Sequence, residues 1–164
     1  MSSASIKVAF YNGVHVIRLS GDVRLNQCPA LENYVMGLLS HSRFTNVLID
    51  LSQAEGIDST TLGQLAKISI LCRERFGITP TIASPNKSIT KLLLSMGFDE
   101  VFHIIRDSFV SEGEFCDWVA ETWSEEEARQ QVISAHRVLM SLNDKNKNEF
   151  RELVDSLESS CSGH

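Results

Sequence analysis

No run of apolar residues in this 164-residue chain approaches the roughly 20 that a membrane-spanning helix needs. Nor does Met1-Ser2-Ser3-Ala4-Ser5-Ile6-Lys7 place a charged head before an apolar segment, as a secretion signal does. Both absences lead to the expectation of a cytoplasmic protein with no membrane partner. Basic charge is also short: 15 Lys and Arg against 21 Asp and Glu leave a net charge of −6 and a pI near 5.3. Such a surface repels a phosphate backbone, so nucleic acid is not expected as a partner. Cysteine and histidine are few and scattered. Cys28, Cys72, Cys116 and Cys161 form no CxxC pair, and His15, His41, His103, His136 and His164 show no HExxH spacing. No metal and no other cofactor is expected from ligands this dispersed. Cys28 and Cys72 sit in apolar surroundings and read as small core residues, whereas Cys161 lies in a polar tail as a free thiol. Internal repeats and low-complexity tracts are lacking as well.

What remains is enough for one domain with an appended element: 43% of residues are hydrophobic, sufficient for a single core. Ile6, Val8 and Phe10 alternate with other residues, Tyr11-Asn12-Gly13 reads as a hairpin turn, and Val14, Val16, Ile17 and Leu19 form the returning strand up to Ser20-Gly21-Asp22. Cys28 to Leu39 is the first helix, with Pro29 at a first-turn position and Leu31, Tyr34, Val35, Leu38 and Leu39 as its stripe. Val47 to Leu51 is a strand apolar enough to be covered on both faces. The second helix runs from about Thr60 to Arg75 and stops at Gly77. Thr79 to Ala83 is a short strand, and Pro80 marks it as an edge or marks its start. A third helix spans Ser88 to Met96, closed by Gly97, and Phe98 to Ile105 ends the core as a last short strand. A hairpin followed by helix–strand alternation predicts an α/β fold: a small mixed sheet with helices on one or both faces.

After Arg106 the composition changes. Residues 107–123 form an acidic and aromatic connector, with Asp107, Glu112, Glu114, Asp117 and Glu121 among Phe109, Phe115, Trp118 and Trp123. Four aromatics are too many for a bare linker, so part of it is expected to dock. Ser124 and Glu127 stand at the two positions of a capping box. Val132, Ala135, Leu139 and Leu142 follow at helical spacing, Asn143-Asp144 breaks the helix, and Phe150, Leu153, Val154 and Leu157 make a second stripe. Residues 124–160 thus read as a helical hairpin whose seam packs on its own domain or forms a partner surface.

The densest cluster of reactive side chains is Ile57-Asp58-Ser59-Thr60-Thr61-Leu62-Gly63, between the strand 47–51 and the second helix. Hydroxyls at a helix start face unpaired backbone N–H groups and the positive end of the helix dipole. Ordinary capping explains an Asp or Ser there, and a phosphate on Ser59 would also find a suitable anion site. Gly63 inside a helix costs about 1 kcal/mol relative to alanine. Either something approaches closely there, or helix–sheet packing needs the space. Asp58, Ser59 and a histidine such as His15 could be drawn as a hydrolase triad, but no Gly-x-Ser-x-Gly elbow is present and no enzymatic activity is expected.

Three segments in order, Val16-Ile17-Arg18-Leu19-Ser20-Gly21-Asp22, Val47-Leu48-Ile49-Asp50-Leu51 and Ile57 to Gly63, followed by Ser95-Met96-Gly97-Phe98, resemble a STAS domain of the bacterial anti-sigma factor antagonist type. The resemblance covers about Ile6 to Ile105 and places the STAS domain at residues 1–106. It implies a reversible phosphorylation switch at Ser59. A serine protein kinase that doubles as anti-sigma factor would add the phosphate and bind the unphosphorylated form. A PP2C-type phosphatase, possible in fusion with a response regulator, would remove it. Asp22, Arg24, Asp58, Thr60, Thr61, Leu62 and Gly63 are the implied partner-binding residues. Two of them depart from the family pattern: Thr61 stands where glycine is usual, and Arg24 where aspartate is common. Arg24 could pair with a phosphoserine or an acidic partner residue, or simply lie in solvent. The alternative implied by the same fold is an adaptor that binds a transporter ATPase without phosphorylation.

Overall fold

The computed structural model describes residues 4–40, 44–107 and 115–162. Strands β1 (Ser5–Tyr11) and β2 (Val14–Val23) form an antiparallel hairpin with Val8 opposite Ile17. Asn12 and Gly13 turn it with φ of 49° and 82°, the paired positive values that match a two-residue turn to strand twist. A 3-10 turn at Leu25–Gln27 leads into α1 (Cys28–Leu39), which carries its proline in the first turn as the sequence indicates. Then come β3 (Asn46–Asp50), β4 (Ala54–Ile57), α2 (Ser59–Phe76), β5 (Thr81–Ala83), α3 (Lys87–Ser95) and β6 (His103–Ile105). A two-residue β7 (Cys116–Asp117) returns to pair with β1. The sheet order is β6-β5-β3-β2-β1-β7, with β4 joined in parallel to the far end of β2.

Two expectations need correction. Phe98 does not begin a strand: Phe98–Glu100 is a 3-10 turn, and the strand is confined to His103–Ile105. Gly97, at φ 85°, redirects the chain first, and Phe98 is fully buried in the core. β5 is not an edge, since it lies between β3 and β6; Pro80 just precedes it and its carbonyl accepts the His103 N–H. The start-of-strand reading of that proline holds.

The pleat divides the sheet residues between two faces. Ile17, Ile49 and Ile82 join Leu31, Leu62, Leu65 and Leu93 of the helices in the main core. Val16, Leu48 and Ala83 point the other way into a smaller cluster covered in part by Phe115. Cys28 and Cys72 are fully buried, and burial pushes their thiols up to about 12 and about 11. Both are packing residues. The connector docks, as its aromatics suggested: Trp118 donates its indole N–H to Asn33 Oδ1 at 3.1 Å and meets Tyr34 edge to face. Phe109, Glu112 and Glu114, singled out with it, lie outside the described residues.

The C-terminal hairpin consists of α4 (Glu125–Leu142) and α5 (Asp144–Ser162), with Ser124 and Glu127 making both bonds of the capping box. Its Leu139 and Phe150 belong to the main core, so the seam packs on the chain's own body. Ile133 is buried, whereas Leu153 is 41% exposed and stands off the seam. At the hinge, the fully buried Asn146 donates its side-chain N–H groups to Met96 O and Leu139 O, both at 2.9 Å. It fastens α5 to the end of α3 and to α4. Asn146→Ala removes that donor from two carbonyls and is expected to cost about 2 kcal/mol, read as a lower urea midpoint at unchanged m-value.

Candidate functional site

Asp58 sets the geometry of the segment that joins β4 to α2. Its φ and ψ of −80° and 166° are extended, and Oδ1 accepts the Thr61 N–H at 2.8 Å, so Asp58 and not Ser59 is the N-cap of α2. The other oxygen, Oδ2, accepts the Leu25 N–H at 2.9 Å. One carboxylate therefore caps the helix and pins the loop after β2 beside it. That loop carries Arg24, and Asp22 lies in the strand before it, near the end of β2. Both are exposed, and Arg24 Nε donates to Asp22 Oδ2 at 2.7 Å. The bond from Asp22 and its charge raise the Arg24 pKa, and the charge of Asp58 adds to the same effect. Gly56, paired with Asp22 across β2 and β4, leaves the room that the carboxylate occupies: a Cβ there would lie 2.9 Å from Asp22 Oδ1.

With Asp58 as cap, Ser59 becomes the first residue of α2 and its hydroxyl is released from capping. It is half-buried and bonds to His136 Nε2 at 2.7 Å, across 77 positions of sequence. The His136 ring is 1% exposed, with Phe150 edge-on at 4.9 Å. Its Nδ1 lies 2.7 Å from Val132 O. A carbonyl only accepts, so Nδ1 carries the proton, and in the neutral ring Nε2 accepts from the Ser59 hydroxyl.

The other implied residues divide by direction. Leu62 is part of the main core, and Thr61 faces inward, with Oγ1 3.6 Å from Cys28 Sγ. The hydroxyl of Thr61 therefore meets the cysteine of α1. Thr60 is buried. Gly63 faces α4: a Cβ there would lie 2.6 Å from Ala135 Cβ and overlap the Ala135 carbonyl oxygen. The close approach that a mid-helix glycine signals is made by the chain's own hairpin. One step further along, Gln64 Nε2 donates to Gln131 Oε1 at 3.0 Å.

His136, Ala135 and Gln131 are thus neighbours of the start of α2 that sequence reasoning did not assign to it. A signal existed for His136, which stands four residues after Val132 and three before Leu139, on the apolar stripe of α4. A polar ring on such a stripe needs a buried partner. His15, drawn into the imagined triad, bonds instead to Tyr34 Oη at 2.9 Å. A cavity of about 720 Å3 between α1 and the start of α4 is lined by Pro29, Met36, Trp123 and Gln131 among others, and takes in neither Ser59 nor His136. Among the described residues, no group of three or more His, Cys, Asp or Glu could hold a metal ion. No described helix is long and apolar enough to cross a membrane.

A mixed sheet with its helices on one main face and a hydroxyl-bearing helix start after β4 defines the class. The chain belongs to the STAS domain family, whose model matches residues 5–111. Among solved structures it is similar to a candidate anti-sigma factor antagonist from Thermotoga maritima, at 19% identity and a TM-score of 0.55, covering 62% of this chain and 86% of that one. It is also similar to an anti-sigma factor antagonist from Mycobacterium paratuberculosis, at 25% identity and a TM-score of 0.52, covering 63% and 86%. No curated protein matches the chain in sequence.

Proposed function

We propose that this protein is an anti-sigma factor antagonist switched by phosphorylation of Ser59. The observation that carries the reading is the division of labour at the start of α2. Asp58 does the capping, which leaves the Ser59 hydroxyl available as a modification site in a STAS fold. The unphosphorylated protein binds a serine kinase that acts as anti-sigma factor, and phosphorylation releases it. A PP2C-type phosphatase resets the switch. The binding face is built from Asp22, Arg24, Asp58 and Ser59, with Thr61 and Leu62 holding it from behind; Thr60 is buried and Gly63 lies beneath α4, so these two join the face only when the hairpin is displaced. Residues 1–106 carry this face, Cys116–Asp117 of the connector 107–123 pair with β1, and 124–160 form the regulatory hairpin.

Phosphate brings about −1.5 to −2 charges to a site that offers a neutral hydroxyl beside Asp58. An interface made with the hydroxyl then meets added bulk and like charge, which costs several kcal/mol and changes affinity by orders of magnitude. The protein acts by binding and not by catalysis. Ser59 and His136 have the spacing of a nucleophile and its base, but the ring is enclosed and the neighbouring cavity does not open onto it.

Pull-downs from the native cells with Ser59→Ala and Ser59→Asp test the reading. Ser59→Ala is expected to retain a serine kinase, and Ser59→Asp to bind it at least about tenfold more weakly. Equal capture by both variants would remove the switch, and a transporter ATPase captured by both would favour the adaptor reading.

A further inference from the structure

The C-terminal hairpin lies over the modification site. Helix α4 meets α2 at three successive positions: His136 on Ser59, Ala135 on Gly63, and Gln131 on Gln64. The contact at Gly63 leaves no slack, since even a methyl group there would overlap the Ala135 backbone. α4 cannot settle closer, and at Ser59 the gap is a single 2.7 Å hydrogen bond. Phosphorylation replaces the hydroxyl proton with a group of three further oxygens and nearly two negative charges. That group has no room between Oγ and the imidazole. In place it would sit against a buried imidazole whose Nδ1 proton is committed to Val132 O, so that only a proton taken up at Nε2 could face it.

We infer that α4 and α5 form an intramolecular gate on Ser59, an inference that rests on the phosphoswitch reading above. The face of α2 that a kinase or partner must reach is occupied by a helix of the same chain, so docking of the hairpin and engagement of the partner compete. A phosphate on Ser59 then prevents the hairpin from returning. The hairpin has two arrangements: seated, it covers Ser59; released, it lets unphosphorylated Ser59 meet the partner, and a phosphate on Ser59, which repels the partner, holds the hairpin in that released state. In the second, Leu139 and Phe150 lose their cover, and the freed apolar seam distinguishes the modified form. Anchors at the far end, Asn146 on Met96 O and Lys145 Nζ 3.3 Å from Ser95 O, allow α4 to swing from Ser59 while the hinge stays tied to the end of α3.

The test uses the full chain with phosphoserine installed at position 59, compared with the unmodified chain and Ser59→Ala by amide hydrogen exchange. Phosphoserine is expected to lower the protection of residues 125–142 by roughly tenfold or more while β3 stays protected. Ser59→Ala, which loses only the hydrogen bond, is expected to keep most of that protection. Unchanged protection with phosphoserine would mean that His136 accepts the phosphate in place, and would overturn the gate. Exposure of β3 as well would mean that the phosphate unfolds the body, and would overturn it too. The readout needs no partner. Ser59 never phosphorylated in cells would sink the switch but not this incompatibility, and unchanged protection would sink the gate but not the switch.

Discussion

Asp50→Ala is expected to cost about 3–5 kcal/mol of folding free energy, more than any other single polar substitution considered for this chain. Asp50 ends β3 fully buried, and its cross-strand neighbour in β2 is Arg18, only 6% exposed. Arg18 Nε donates to Asp50 Oδ2 at 2.9 Å, while Oδ1 accepts the Ser52 N–H at 2.9 Å. The Arg18 guanidinium also lies over the Phe115 ring, 4.0 Å from its centroid. Removing the carboxylate takes the acceptor of its Nε–H from a buried cation and the acceptor of the Ser52 N–H from a turn. The pair itself adds little net stability, because two charges must be taken out of water to form it. Hence the double replacement Arg18→Met with Asp50→Leu is expected to be far milder than Asp50→Ala alone. Urea denaturation of the three proteins checks both statements. A single mutant within about 1 kcal/mol of the parent would show that water or a rearranged side chain satisfies Arg18.

Gly63→Ala should reverse the usual sign of a glycine replacement in a helix. On a bare helix alanine gains about 1 kcal/mol. Here its methyl would enter the Ala135 backbone, and a backbone cannot yield as the end of a flexible side chain can. Overpacking of this kind costs about 1–3 kcal/mol, so net destabilisation is expected together with faster exchange in α4. The larger Gly63→Leu should release the hairpin outright. A stabilised Gly63→Ala protein would mean that α4 does not sit on α2 in solution.

The features legible in the sequence share a local origin. Asn12-Gly13 specified its turn, Gly77 its helix end at φ 65°, and Ser124 with Glu127 its capping box, because each acts within a few residues. The apolar run 47–51 announced a strand covered on both faces, and Leu48 and Ile49 indeed enter different clusters. What sequence reading missed depends on distant partners. Ala54–Ile57 has too little apolar pattern to read as a strand, and becomes one only by pairing with the end of β2. The two residues of β7 exist only because β1 offers a free edge. At the site, the Asp58–Ser59 choice of cap stayed open until Asp58 was seen to hold Thr61 and Leu25 together. His136 went unassigned because its partner lies 77 residues away, although its place on the stripe and the glycine at 63 both pointed to a close neighbour.

The most direct test of the central claim is the intact mass of the protein isolated from its native cells under two growth conditions, with peptide mapping. The account predicts a phosphate-sized increment on the peptide containing Ser59, with an occupancy that changes between conditions. An unmodified Ser59 in both conditions, in a protein that co-purifies with a transporter ATPase, would contradict it.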